Sequence, residues 1–190
     1  MISPLALPNR IEQAVELRAR ADVVFDRLDD FEQLGAHMMR SSWMMAGSRM
    51  HYELDQAVGR RVGAHVRLRG SFLGMEIAID EQVIEHSPPL RKTWQTTGSP
   101  RVLILAGYRM GFVVTPRESG CRLEVFIDYA LPERGAARWL GWIAGSSYAR
   151  WCVTSMIAEA ERMFGRADQR SRAAGDDVGR DKSDRSRRAA

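Results

Sequence analysis

The sequence predicts an α+β domain: a curved antiparallel sheet of about seven strands, two short helices after the first strand, and a long helix at the C-terminal end. Three observations carry this. Apolar and polar residues alternate with a period of two in seven separate stretches, most of them joined by short turns. The segment RARADVVFDRLDDFEQLGAHM, after the first such stretch, is too broken for one helix and too polar for a strand. The residues before Gly165 repeat with helical spacing.

The first strand is set by Ile11, Gln13, Val15, Leu17 and Ala19 on one face, with Glu12, Ala14, Glu16 and Arg18 on the other. Two stubby helices follow. Asp22 stands in the first turn of one, where a carboxylate suits the helix dipole, and Asp30 with Gln33 has capping-box spacing for the next. Met50, Tyr52 and Leu54 then alternate, as do Val62, Ala64, Val66 and Leu68 after the turn Ala57–Arg60. Met75, Ile77 and Ile79 begin another strand, which Ser87-Pro88-Pro89 breaks. A strand carrying Trp94 ends at Gly98-Ser99-Pro100. Ile104, Ala106, Tyr108, Met110, Phe112 and Val114 line one face of a long strand, and Ser119-Gly120 turns it into the last, with Leu123, Val125, Ile127 and Tyr129 inward. Consecutive strands with short turns make an antiparallel meander.

Beyond Pro132 a helical region runs from about 134 to 164, with Ser146 or Ser147 as a cap and Gly165 past its end. Trp142, Gly145, Ala149, Cys152, Val153, Met156, Ala160 and Met163 share a broad face. Trp139, Leu140 and Ile143 fall off that stripe, so the early part must bury another face or bend near Gly145. Gly141 and Gly145 form a GxxxG that suits close packing.

A strongly curved sheet cannot cover its own concave face. The long helix is expected across it, and the two short helices at one end. Several motifs then resemble the START-like helix-grip superfamily of polyketide cyclase/dehydrase and lipid-transfer proteins (SRPBCC). They are Ala21-Asp22-Val23-Val24-Phe25-Asp26 with Asp29-Asp30-Phe31-Glu32, and Pro88-Pro89 ahead of Trp94. Gly120-Cys121-Arg122-Leu123 and Tyr148-Ala149-Arg150-Trp151-Cys152 through Phe164 complete the set. The resemblance spans roughly residues 10–165, with 1–9 as an extension and 166–190 as a charged tail. It implies an elongated cavity between sheet and helix. The superfamily ranges from carriers to cyclases, and the fold does not choose among them.

Composition narrows the partners. The chain has 190 residues, 45% hydrophobic and 27% charged, ordinary for a soluble domain. Its pI near 9.5 comes largely from residues 166–190, where eight Lys/Arg face five Asp and supply +3 of the net +4. The rest is close to neutral, so no nucleic-acid face is expected. The tail has one branched aliphatic residue, Val178, and is expected to be disordered. No apolar run approaches the ~20 residues of a membrane span, the N-terminus does not read as a signal peptide, and Cys121 and Cys152 show no framework spacing. A cytoplasmic protein is the simple expectation.

The expected cavity lining is Tyr52, Trp94, Tyr108, Met110, Phe112, Tyr129, Trp142 and Met156, large adaptable groups that suit a lipid-like or polyketide-like ligand. The same residues would equally fill a solid core. The Met-rich stretch His37–Met45 is expected at the cavity mouth, as a lid or as a packed corner. His37, His51, His65 and His86 are scattered without ligand spacing, so neither metal nor cofactor is expected. Unbroken alternation turns Glu81 and Lys92 inward, where a buried ionisable group can serve acid–base chemistry; a bulge would turn either to solvent. The leading functional reading is a binder or carrier of a hydrophobic small molecule. The alternatives are a cyclase or dehydratase using Glu81, Lys92 or a tyrosine, and an assembly or interaction protein presenting Trp139, Leu140 and Ile143 to a partner, such as a second copy, or to a bilayer.

Overall fold

The computed structural model describes residues 6–31, 49–55, 57–72, 75–98 and 104–166. Among them run β1 (Asn9–Leu17), α1 (Ala21–Asp29), β2 (Arg49–Leu54), β3 (His65–Phe72), β4 (Met75–Ser87), β5 (Arg91–Thr96), β6 (Gly107–Arg117) and β7 (Gly120–Ala130). Then come α2 (Gly135–Leu140), a π-helical turn (Gly141–Gly145) and α3 (Ser146–Phe164). The seven strands form one antiparallel sheet in the order β1-β7-β6-β5-β4-β3-β2. The expected second short helix beyond Phe31, the stretch His37–Met45 and most of the tail lie outside the described residues.

The meander follows chain order from β2 to β7, and β1 closes on β7 in the register Ile11↔Ile127, Val15↔Leu123 and Leu17↔Cys121. The inward faces of the two strands therefore coincide, as their period-two patterns require. The β6–β7 turn needs Gly120: its φ is 145°, and a Cβ there would lie 1.9 Å from the Leu17 carbonyl oxygen. Two strand edges differ from the pattern. Val62 is exposed in a loop, because the Asp55 carboxylate accepts the N–H groups of Ala57 (3.0 Å) and His65 (2.8 Å) and ties the intervening residues into a turn. Ile104 and Ala106 precede β6 rather than extend it.

The amphipathic α1 buries Val24, Phe25 and Leu28 and packs on β6 and β7, with the Phe25 ring 5.4 Å from that of Phe112. The 19-residue α3 is about 28 Å long at 1.5 Å per residue. It lies on β1 and β7 through Ala149, Val153, Met156 and Ala160, whose small members bring the helix close to the sheet. Gly165 (φ 69°) ends it, donating its N–H to Glu161 O, and the Arg18 N–H bonds back to Gly165 O at 3.2 Å. The core thus sits between the concave face, α1 and α3.

Candidate functional site

Glu81, Thr96 and Tyr108 stand side by side on β4, β5 and β6. Glu81 pairs with Thr96, and the Thr96 hydroxyl accepts the Tyr108 N–H at 3.1 Å. All three side chains belong to inward rows: Ile79, Glu81 and Val83 on β4, Lys92, Trp94 and Thr96 on β5, Tyr108, Met110 and Phe112 on β6. The β4 bulge falls between Val83 and Glu85, after Glu81, so it does not turn this carboxyl outward. Glu81 is only 5% exposed.

Thr96 is short enough for the Tyr108 phenol to reach across it and donate a hydrogen bond to Glu81 Oε1. The Trp94 indole N–H supplies a second. Burial pushes the Glu81 carboxyl up to about 7, against the pull of these two donors and of the Lys92 charge. The Tyr108 phenol is held well above its usual value, first by burial and then by Glu81. Cys152 of α3, hydrogen-bonded to Tyr148 of the previous turn, faces the pair; burial raises its thiol to about 12, so it stays protonated. The result is a carboxyl near neutrality, paired with a phenol, beneath the long helix and among apolar side chains.

Residues 8–163 match the family described as polyketide cyclase / dehydrase and lipid transport. The chain belongs to this family. No curated protein sequence matches it. Among solved structures, norcoclaurine synthase from Thalictrum flavum, in complex with dopamine and hydroxybenzaldehyde, is 16% identical with a TM-score of 0.55; the match covers 82% of this chain and 85% of that one. The ZhuI aromatase/cyclase from a Streptomyces species is 17% identical with a TM-score of 0.53, covering 81% and 94%. A protein of Thermus thermophilus is 15% identical with a TM-score of 0.55, covering 80% and 93%. At these identities the likeness is one of fold, and it is the helix-grip fold.

In this family member the sequence-derived candidates separate into four places. Trp94, Met110, Phe112, Tyr129 and Met156 are buried in the core, with Tyr108 packed against it. Tyr52 lies on β2 opposite Leu68. Trp142 departs from expectation: it is 71% exposed, because Gly141 and Gly145 occupy the inward positions of the π-helical turn. Lys92, 1% exposed, is also inward, but it belongs to a different cluster. Its ammonium donates to the Asp29 carbonyl (2.7 Å) and carboxylate (2.6 Å) and lies 4.0 Å from the Phe31 ring centroid. His86 bonds the same carboxylate at 3.0 Å, and Arg60 approaches it at 4.0 Å. Burial lowers the Lys92 pKa and Asp29 opposes that shift. This network fastens the end of α1 to the sheet.

Sequence reasoning named Glu81 and Tyr108 separately and missed their pairing, which depends on the register of three strands. It also missed Asp29 and His86 as the partners of Lys92. The one available signal was that an inward lysine requires an acid, without indication of which. Among the described residues no group of His, Cys, Asp and Glu is arranged to hold a metal ion.

Proposed function

We propose that the protein binds a hydrophobic, carbonyl-bearing small molecule between the sheet and α3, and that Glu81 and Tyr108 move a proton on it. One observation carries this reading: a buried carboxyl with a pKa near 7, hydrogen-bonded to a phenol on the inward face. Near neutral pH such a carboxyl is divided between acid and base, the condition under which proton transfer is efficient. In the step envisaged, the Glu81 carboxylate takes a proton from the carbon beside the ligand carbonyl. The C–H electron pair moves into the new C=C bond as the carbonyl oxygen becomes an enolate, and the Tyr108 O–H, released from Glu81, donates to that oxygen. Cyclisation and dehydration of polyketide-like compounds can both proceed from such an enolate. The family description and the aromatase/cyclase neighbour support this chemistry. Lys92 is assigned to structure, because Asp29 holds its ammonium.

Hydrogen–deuterium exchange tests it. Hydrophobic β-diketones and β-ketothioesters are incubated with protein in deuterated buffer, and loss of the α-proton signal is followed by NMR. The wild type should accelerate exchange, and Glu81→Gln should remove roughly 10²–10⁴-fold of that acceleration while still binding the probe. Exchange as fast in Glu81→Gln as in wild type would overturn the acid–base role. Carriage without chemistry is the second reading, favoured by the apolar remainder of the inward face and by the lipid-transport part of the family description. It predicts a ligand seen by native mass spectrometry that leaves the protein unchanged.

A further inference from the structure

The segment Gly135–Gly145 is amphipathic in an inverted sense. Gly141 and Gly145 face the protein and the segment's largest apolar side chains face outward. A Cβ on Gly141 would meet Pro132 Cδ at 2.6 Å and the Ile104 carbonyl oxygen at 3.1 Å, and one on Gly145 would meet Leu131 Cδ2 at 2.4 Å and the same oxygen at 3.1 Å. The helix backbone therefore rests directly on residues 104 and 131–132. With the glycines inward, Trp139 (68% exposed), Trp142 and Ile143 (66%) project outward with Leu140. The two indoles stand edge to face at 6.4 Å. Beside them opens a groove of about 640 Å³ lined by Leu131, Pro132, Glu133, Arg138, Trp139 and Trp142.

The charges around this patch indicate its partner. Several arginines on the sheet are held by carboxylates, as Arg10 and Arg109 are by Asp128, Arg69 by Asp80 and Arg122 by Glu16. Arg134, Arg138 and Arg150 are exposed, and none forms an ion pair among the described residues. With one acid, Glu133, the segment from 131 to 150 carries a positive excess. A second copy fits poorly. The four side chains present roughly 500 Å², counting 150–250 Å² for a whole aromatic group, short of the ~800 Å² per partner of a stable interface. A two-fold contact would also bring like charges together. A bilayer fits better: tryptophan favours the interfacial region, an amphipathic helix inserts shallowly, and exposed arginines meet anionic headgroups.

We propose that the surface formed by Trp139, Leu140, Trp142 and Ile143, rimmed by Arg134 and Arg138, docks this protein on anionic lipid bilayers. The docking does not depend on what the interior binds or catalyses.

The test is flotation of the full-length protein with phosphatidylcholine vesicles, with and without phosphatidylserine. Wild type should float with the phosphatidylserine vesicles, bind the neutral ones much more weakly, and be released by salt. Trp139→Ser/Trp142→Ser should lose at least tenfold in binding to both. Arg134→Gln/Arg138→Gln should lose roughly fivefold per arginine on anionic vesicles only. The replaced side chains are exposed, so both variants should melt with the wild type. Wild type that stays with the soluble fraction at low salt, or a tryptophan variant that floats equally well, overturns the proposal. So does light scattering that shows a wild-type dimer made monomeric by the tryptophan changes, since a second copy would then occupy the patch.

Discussion

Replacing Glu81 by glutamine should change how stability depends on pH in a direction the structure fixes. The folded protein holds this carboxyl at about 7, against a reference value of 4.5 in the unfolded chain. Between those values the folded state binds the extra proton. Stability is therefore highest while the carboxyl is protonated in both states, and falls as pH rises through the window toward the folded pKa. At roughly 1.4 kcal/mol per pKa unit the full loss is about 3 kcal/mol. Most of it lies between about pH 5 and about pH 8. Glutamine keeps the shape, can accept from Tyr108 and Trp94, and does not titrate. Urea unfolding of both proteins at the two pH values isolates the contribution, because every other titrating group is common to both. The variant should gain on the wild type by roughly 2–3 kcal/mol from the lower pH to the higher. A difference that stays flat, or grows with the opposite sign, refutes the reasoning, since the carboxyl would then titrate alike in the folded and unfolded chains.

Four further outcomes follow from the same structure. Asp29→Ala should destabilise by about 3–5 kcal/mol in urea unfolding, because it leaves the buried Lys92 ammonium without its acid. Lys92→Met should cost clearly less, because Asp29 keeps His86. Gly141→Ala should cost about 1–3 kcal/mol and lower the Tm, because its methyl meets the Pro132 ring and the Ile104 carbonyl. Both cysteines should resist alkylation in the native protein at mildly alkaline pH and react once it is unfolded, as mass spectrometry would show; burial raises both thiols, that of Cys152 to about 12.

The strands were legible because a half-buried sheet imposes a period of two on its own sequence. Ile11 to Leu17 and Leu123 to Tyr129 display that period and pair in matching register. The long helix was legible from Ala149, Cys152, Val153, Met156 and Ala160 for the corresponding reason. Trp142 was misplaced because a helical wheel assumes one uniform turn, whereas the π-helical turn shifts the phase before α3 begins. Val62 was misplaced because the Asp55 carboxylate captures two N–H groups and bends the chain where alternation alone continues it.

The inward direction of Glu81 and Lys92 was likewise local information, carried by alternation from Ile79 and to Trp94. Their partners were not. Tyr108 lies 27 residues from Glu81, and Asp29 lies 63 from Lys92. Alternation determines which face a side chain takes, because neighbouring residues set it through backbone geometry. Which acid meets which base across that face depends on strand register and helix docking. These are settled only when distant segments pack together, so the tertiary structure alone decided that one carboxyl stands poised against a phenol while the other neutralises a lysine.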